Sequence, residues 1–270
     1  MGDAGRGRSP GKTSGSTPSR RPGPAERNGS GGRRSGRQRQ PSPEVSPWDE
    51  DLLTESLTEN PLPADVVAEL EPFPAKVRAL LGAAMMLLPE YPAEAQRYAE
   101  GAKKLAPRSA AVREAVGMAA YQSGDYAVAI KELRSAARIS GDDNLYPLIA
   151  DCERGLGRPE KALEIASRKL TLNRADRIEM RLVAAGARLD LDQAEEAMRI
   201  LQGPMLDDEE PSESSARLKY VYAEALLAAG RPDEAREWFL RAAAADPDGL
   251  TDAVDRVAAL DSQAAEGTQA

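Results

Sequence analysis

"YAEALLAAGRPDEAREWFLRAAAADP", Tyr222–Pro247, reads as two helices joined by a tight turn. Tyr222, Leu226 and Leu227 make an apolar stripe at helical spacing. Gly230 ends that helix, because glycine enters the left-handed C-terminal conformation without a Cβ clash. Pro232 opens the next helix, where the missing amide has no partner to lose. Asp233 and Glu234 fall in the first turn and suit the helix dipole. Ala235, Phe239 and Ala242 recur at i, i+4 and i+7 as an inner stripe, and Asp246–Pro247 stops the helix.

The unit recurs. "YQSGDYAVAIKELRSAARIS" sets Gly124, Ala129, Leu133 and Ala136 at the same offsets. "RGLGRPEKALEIASRKL" does so with Gly157, Ala162 and Ala166. "LDLDQAEEAMRILQGP" does so with Ala197 and Leu201, but has Asp192 where the others have glycine. "LPEYPAEAQRYAEGAKKLAP" adds Ala95, Ala102 and Pro107. The turns at 124, 157, 192 and 230 are 33, 35 and 38 residues apart.

These residues resemble the tetratricopeptide repeat family, whose unit is a helix–turn–helix of about 34 residues with small residues at the crossings. Gly117, Ala129, Leu133 and Ala136 match its pattern in one unit; Ala223, Leu226, Ala235, Phe239, Ala242 and Pro247 match it in another. The unit from Ala175 to Gly203 departs from it. Through "AAVREAVGMAAYQSGD" and "LIADCERGLGRPEKA" the chain is also similar to an actinobacterial family of such proteins. The expected fold is all-α: a solenoid of about five helix–turn–helix units over residues 63–262, with capping helices.

The flanks differ from this body. Residues 1–40 carry nine Arg and one Lys against Asp3 and Glu26, so 10 − 2 gives +8. The whole chain is −8, which leaves −16 for residues 41–270. Residues 1–40 are mostly Gly, Ser, Pro and Arg and cannot bury enough apolar surface to offset ordering, so disorder is expected. Such a tail either contacts RNA, DNA, the ribosome or an acidic protein, or is a solvated extension that folds back weakly on the acidic body. No aromatic residue interleaves with its arginines to stack bases. "GRGRSPGKTS" lacks the first glycine of a phosphate-binding loop and has no strand before it.

Residues 41–62 read as an acidic linker punctuated by proline, and 263–270 as a flexible end. Within the linker, Trp48, Leu52, Leu53 and Leu57 have near-helical spacing, suited to docking on the body or to binding a partner. Leu250, Val254, Val257 and Leu260 are expected to face inward on a C-terminal capping helix, with Asp252, Asp255 and Arg256 outward. Pro63–Phe73 reads as the opposite cap. The acidic loop Leu206–Ser214 is either solvated or a lip that selects a basic ligand.

With no histidine, the chain has no Ser-His-Asp or Cys-His catalysis and no His-based zinc site. The one cysteine, Cys152, forms no internal disulfide and reads as a small residue at a helix crossing. Acidic runs lack calcium-loop spacing. No enzyme, metal or cofactor is expected. The run Ala79–Leu88 is half the length of a membrane span, and no leader is visible, so a cytoplasmic chain is expected.

By the family resemblance, the first helix of each pair lines a concave groove that takes a peptide or helix of an unknown protein partner. The matching positions are Glu114, Met118, Tyr121 and Gln122; Leu148, Asp151 and Arg154; and Arg217, Tyr220, Glu224 and Leu227. Family members that grip a C-terminal carboxylate use cationic residues there, whereas Glu114, Met118, Asp151 and Glu224 would repel it. The expected role is a non-catalytic scaffold or adaptor; the alternative is an RNA- or ribosome-associated factor anchored by the tail.

Overall fold

A computed structural model describes residues 48–59, 61–207 and 210–268. The tail expected over residues 1–40 lies outside them, as does the start of the 41–62 segment. The described residues form thirteen α-helices and no strand. Two short ones come first, α1 (Glu50–Glu59) and α2 (Ala64–Leu70). Five antiparallel pairs follow: α3 (Ala75–Leu87) with α4 (Pro92–Leu105), α5 (Ala110–Gln122) with α6 (Tyr126–Ser140), α7 (Tyr146–Gly155) with α8 (Pro159–Ala166), α9 (Arg174–Leu189) with α10 (Ala194–Leu201), and α11 (Glu213–Ala228) with α12 (Pro232–Ala244). The last helix is α13 (Ala253–Thr268). Each pair packs on the next, and α9 also touches α7 and α11 directly. The expected all-α helix–turn–helix solenoid is the observed fold.

Four of the turns are the same object. Gly124, Gly157, Asp192 and Gly230 have φ of 78°, 69°, 57° and 73°. In each, two amides close the helix end: Gly230 N donates to Leu227 O and Arg231 N to Leu226 O, both at 3.0 Å. Asp192 N to Leu189 O and Gln193 N to Arg188 O repeat this pair at 2.9 and 2.8 Å. The aspartate therefore occupies the left-handed position that its place in the sequence implied, a conformation that Asp tolerates better than most residues.

Beyond each turn the second helix carries an alanine on its first turn. Ala95, Ala129, Ala162, Ala197 and Ala235 are all 0% exposed. Further along, Leu133, Leu201 and Phe239 fill the space between pairs and are equally buried, whereas Ala166 is half-buried at the end of the short α8. Three apolar clusters follow one another along the chain, so no pair hides its stripe alone. Charge assists the stacking. Glu132 of α6 is 2% exposed and accepts from Arg113 of α5 at 2.6 Å and Lys103 of α4 at 3.3 Å, so its carboxylate is compensated where it is buried.

At the N-terminal end α1 packs on α3. The Trp48 ring lies 5.1 Å from that of Tyr98, Leu53 is buried, and Ser56 Oγ donates to Ala79 O at 2.9 Å. Leu57 stays outside this contact, at 39% exposed. At the other end the expected inward stripe needs correction. Ala253, Val257 and Leu260 face the core, but Leu250 and Val254 are 59% and 68% exposed. The helix begins only at Ala253, and Val254 lies about 100° round from it. Leu250 sits instead in a turn where Asp246 accepts from its amide at 2.9 Å. Arg256, expected outward, turns in over the Phe239 ring and pairs with Glu224.

Two stability changes follow. Ala235→Leu overpacks a crossing with no free volume and lowers stability by about 1–3 kcal/mol, whereas Ala244→Leu, at an exposed position, leaves it unchanged within about 0.5 kcal/mol; urea melts read both. Asp192→Gly relieves the positive φ and raises stability by about 0.5 kcal/mol, while the β-branched Asp192→Val lowers it by about 1 kcal/mol or more.

Candidate functional site

The first helices of the last four pairs line a cleft of about 930 Å³. Its apolar floor comes from Leu148 of α7, Leu182, Val183 and Leu189 of α9, and Val221 of α11. Met118 and Tyr121 of α5 close one end, and Leu250, Thr251 and Asp252, just before α13, the other.

A polar ladder runs along this cleft and ties each first helix to the next. Tyr121 Oη of α5 donates to Asp151 Oδ2 of α7 at 2.7 Å. Arg154, one turn on from Asp151, donates from Nη1 to Asp151 Oδ1 at 2.9 Å. The same guanidinium reaches the end of α9, with Nε to Asp190 Oδ2 at 2.8 Å and Nη2 to Asp190 Oδ1 at 3.2 Å. It lies flat against α9 because residue 186 is glycine: a Cβ there would sit 2.6 Å from Arg154 Cζ. Arg217 of α11 grips Glu179 of α9 with both Nη atoms, at 2.6 and 2.9 Å. Arg256 of α13 pairs with Glu224 of α11, and Asp252 lies close enough to the Tyr220 hydroxyl to raise its pKa.

These contacts set the electrostatics. Burial, followed by the hydrogen bond to an aspartate, pushes the hydroxyls of Tyr121 and Tyr220 well above the usual tyrosine range. Burial opposes the charge on Arg154, but Asp190 and Asp151 outweigh it and raise its pKa. Seven carboxylates and two guanidiniums line the cleft, so its field is negative. Glu114 and Asp176 stand apart from the ladder. Burial, then Asp142, Glu69 and Asp65, raise the Glu114 carboxyl. Asp176 is raised by burial and by Asp142, against a hydrogen bond from Asn173 that lowers it.

Of the positions expected to line a groove, the structure brings nine together: Glu114, Met118, Tyr121, Leu148, Asp151, Arg154, Arg217, Tyr220 and Glu224. Two lie elsewhere. Gln122 is exposed at the end of α5, and Leu227 packs against the last core cluster. The contribution of α9 went unread in the sequence, because the 175–203 unit departs from the repeat pattern. Its signal was the cap: Asn173 Oδ1 accepts from Asp176 N at 2.9 Å, and from there Asp176, Glu179, Val183 and Gly186 recur at three- and four-residue steps. Cys152 is fully buried behind the cleft, and burial pushes its thiol up to about 12. No group of acidic, His or Cys side chains among the described residues could hold a metal ion, and no helix among them is long and apolar enough to cross a membrane.

Two solved structures are similar to parts of this chain. A crystal structure of YrrB, a TPR protein with an unusual peptide-binding site, matches with a TM-score of 0.44 and 18% identity, over 73% of this chain and 94% of that one. The structure of Naa15/Naa10 bound to HypK-THB matches with a TM-score of 0.31 and 16% identity, over 78% of this chain and 39% of that one. No protein-family model and no curated protein matches the sequence.

Glu114 gives the cleft a pH signature. A carboxyl whose pKa is raised on folding weakens the fold when ionised and is neutral to it when protonated. Glu114→Gln is therefore expected to raise Tm at pH 7 by about 1–2 °C, the response to roughly 0.5 kcal/mol in a body of this size. Scanning calorimetry should show that gain shrinking as pH falls through the raised pKa, and gone below the ordinary value of 4.5.

Proposed function

We propose that the chain is a non-catalytic interaction scaffold that seats a segment of a protein partner in the cleft formed by α5, α7, α9 and α11. The carrying observation is an apolar floor open to solvent, between polar side chains already held rigid by one another. A ligand entering such a site orders few side chains, which preserves binding energy. The same ladder speaks against catalysis: Asp151, Glu179, Asp190 and Glu224 are engaged in ion pairs, and the thiol is buried. The chain contains no histidine to act as a general base.

A photo-crosslinking residue placed at Met118 or Leu148, and at Ile139 as an exposed position outside the cleft, tests this in native extract. The two cleft positions should capture a common protein and Ile139 should not. Equal capture at all three positions, or no protein captured from the cleft, would overturn the proposal.

A further inference from the structure

The cleft also carries information about what it can hold. Its two cations are consumed internally: Arg154 by Asp151 and Asp190, Arg217 by Glu179. The Tyr121 hydroxyl proton is likewise committed to Asp151. An incoming carboxylate or phosphate would meet no free cation among the described residues that line the cleft and would have to break the ladder to find one. The charges left without compensation are of the opposite kind. Glu114 and Asp176 line the cleft without a cationic partner among the described residues, and both are under the field of Asp142. Between these acids and the Asp252 end lies the aliphatic strip.

Resting on the reading of the cleft as a peptide seat, we infer that its occupant is a basic, apolar protein segment: Lys or Arg side chains directed to Glu114 and Asp176, and aliphatic side chains on the floor of Leu148, Val183 and Val221. Charge complementarity selects this occupant over an acidic or a phosphorylated segment. Lys and Arg suit the seat in a second way, since their methylene stems cover apolar surface while the charged head reaches the wall. The exposed Leu250 at the far end extends the apolar strip for such a segment.

The test uses the full chain and two fluorescein-labelled synthetic peptides. One repeats Arg at every fourth position among Leu, Ala and Ser; its twin has Glu at the Arg positions. Fluorescence anisotropy should show the Arg peptide binding at least roughly fivefold tighter than the twin. The double variant Glu114→Gln/Asp176→Asn should weaken the Arg peptide by roughly fivefold and leave the twin unchanged or improved. Raising salt from about 50 to about 300 mM should weaken the Arg peptide alone. Both charge variants are isosteric and a melting curve confirms their fold. If both peptides bind equally and Leu148→Asp weakens both, the basic preference is overturned while the peptide seat stands. If the Arg peptide binds but the double variant leaves it unchanged, the assignment to Glu114 and Asp176 is overturned. If neither peptide binds, the inference falls, and the crosslinking result decides separately on the seat.

Discussion

The helix pairs are held at a distance set by alanine. At the crossing beyond each turn the second helix presents Ala95, Ala129, Ala162, Ala197 or Ala235, each with no exposed surface. A methyl group there lets two backbones approach until dispersion contact is complete, and the packed interior has no slack for a larger group. The turn geometry enforces the same approach from the other side. In the last four pairs a left-handed residue followed by a new helix reverses the chain within a few residues, and so brings that alanine to the crossing. Repeating the pair then places the first helices side by side. The cleft exists because the same alanine crossing recurs from pair to pair.

The ladder of ion pairs explains why the cleft is a defined surface rather than a gap between helices. Three rungs join side chains from neighbouring first helices, Tyr121 with Asp151, Arg154 with Asp190 and Arg217 with Glu179, and a fourth, Arg256 with Glu224, ties the terminal α13 to α11. Single exposed ion pairs contribute little, but bidentate guanidinium–carboxylate geometry adds direction to the contact. Rungs in series keep the relative rotation of successive pairs fixed. They also decide which charge remains for a ligand. Nearly all the cationic capacity of the cleft is spent on its own frame, and the surplus that remains is negative.

Much of this was readable in one sequence. Glycine, proline and alanine at fixed offsets mark a turn whose backbone chemistry is local, so Gly157 and Gly230 announce the same hinge without any tertiary information. Asp192 could be placed in that series because its neighbours keep the offsets even where its own side chain differs. For α5, α7 and α11 the first-helix positions came from the family resemblance; nine of them line the cleft, and Gln122 and Leu227 do not. Helix α9 was not legible, because the pattern that would set its register is weak and its cap, Asn173, resembles many surface asparagines. The C-terminal stripe failed for a related reason. Leu250 and Val254 satisfy a helical spacing on paper, but the helix starts at Ala253, so Leu250 lies before it, and packing centres the inward face on Ala253, Val257 and Leu260, leaving Val254 to one side.

The sequence by itself determined the helical class, the positions of the hinges and the residues that can lie at the crossings, because each depends on φ preferences and side-chain volumes within a few neighbours. Tertiary structure alone decided the pairing of charges across helices. Asp151 and Asp190 are 39 positions apart in the chain, and only the stacking of α7 on α9 brings both to one guanidinium. Arg154 and Tyr121 looked like free contacts in the sequence and are structural rungs in the fold, whereas Glu114 has no cationic partner among the described residues. Which carboxylate is spent and which is available is a property of distances between helices, and no local pattern encodes those.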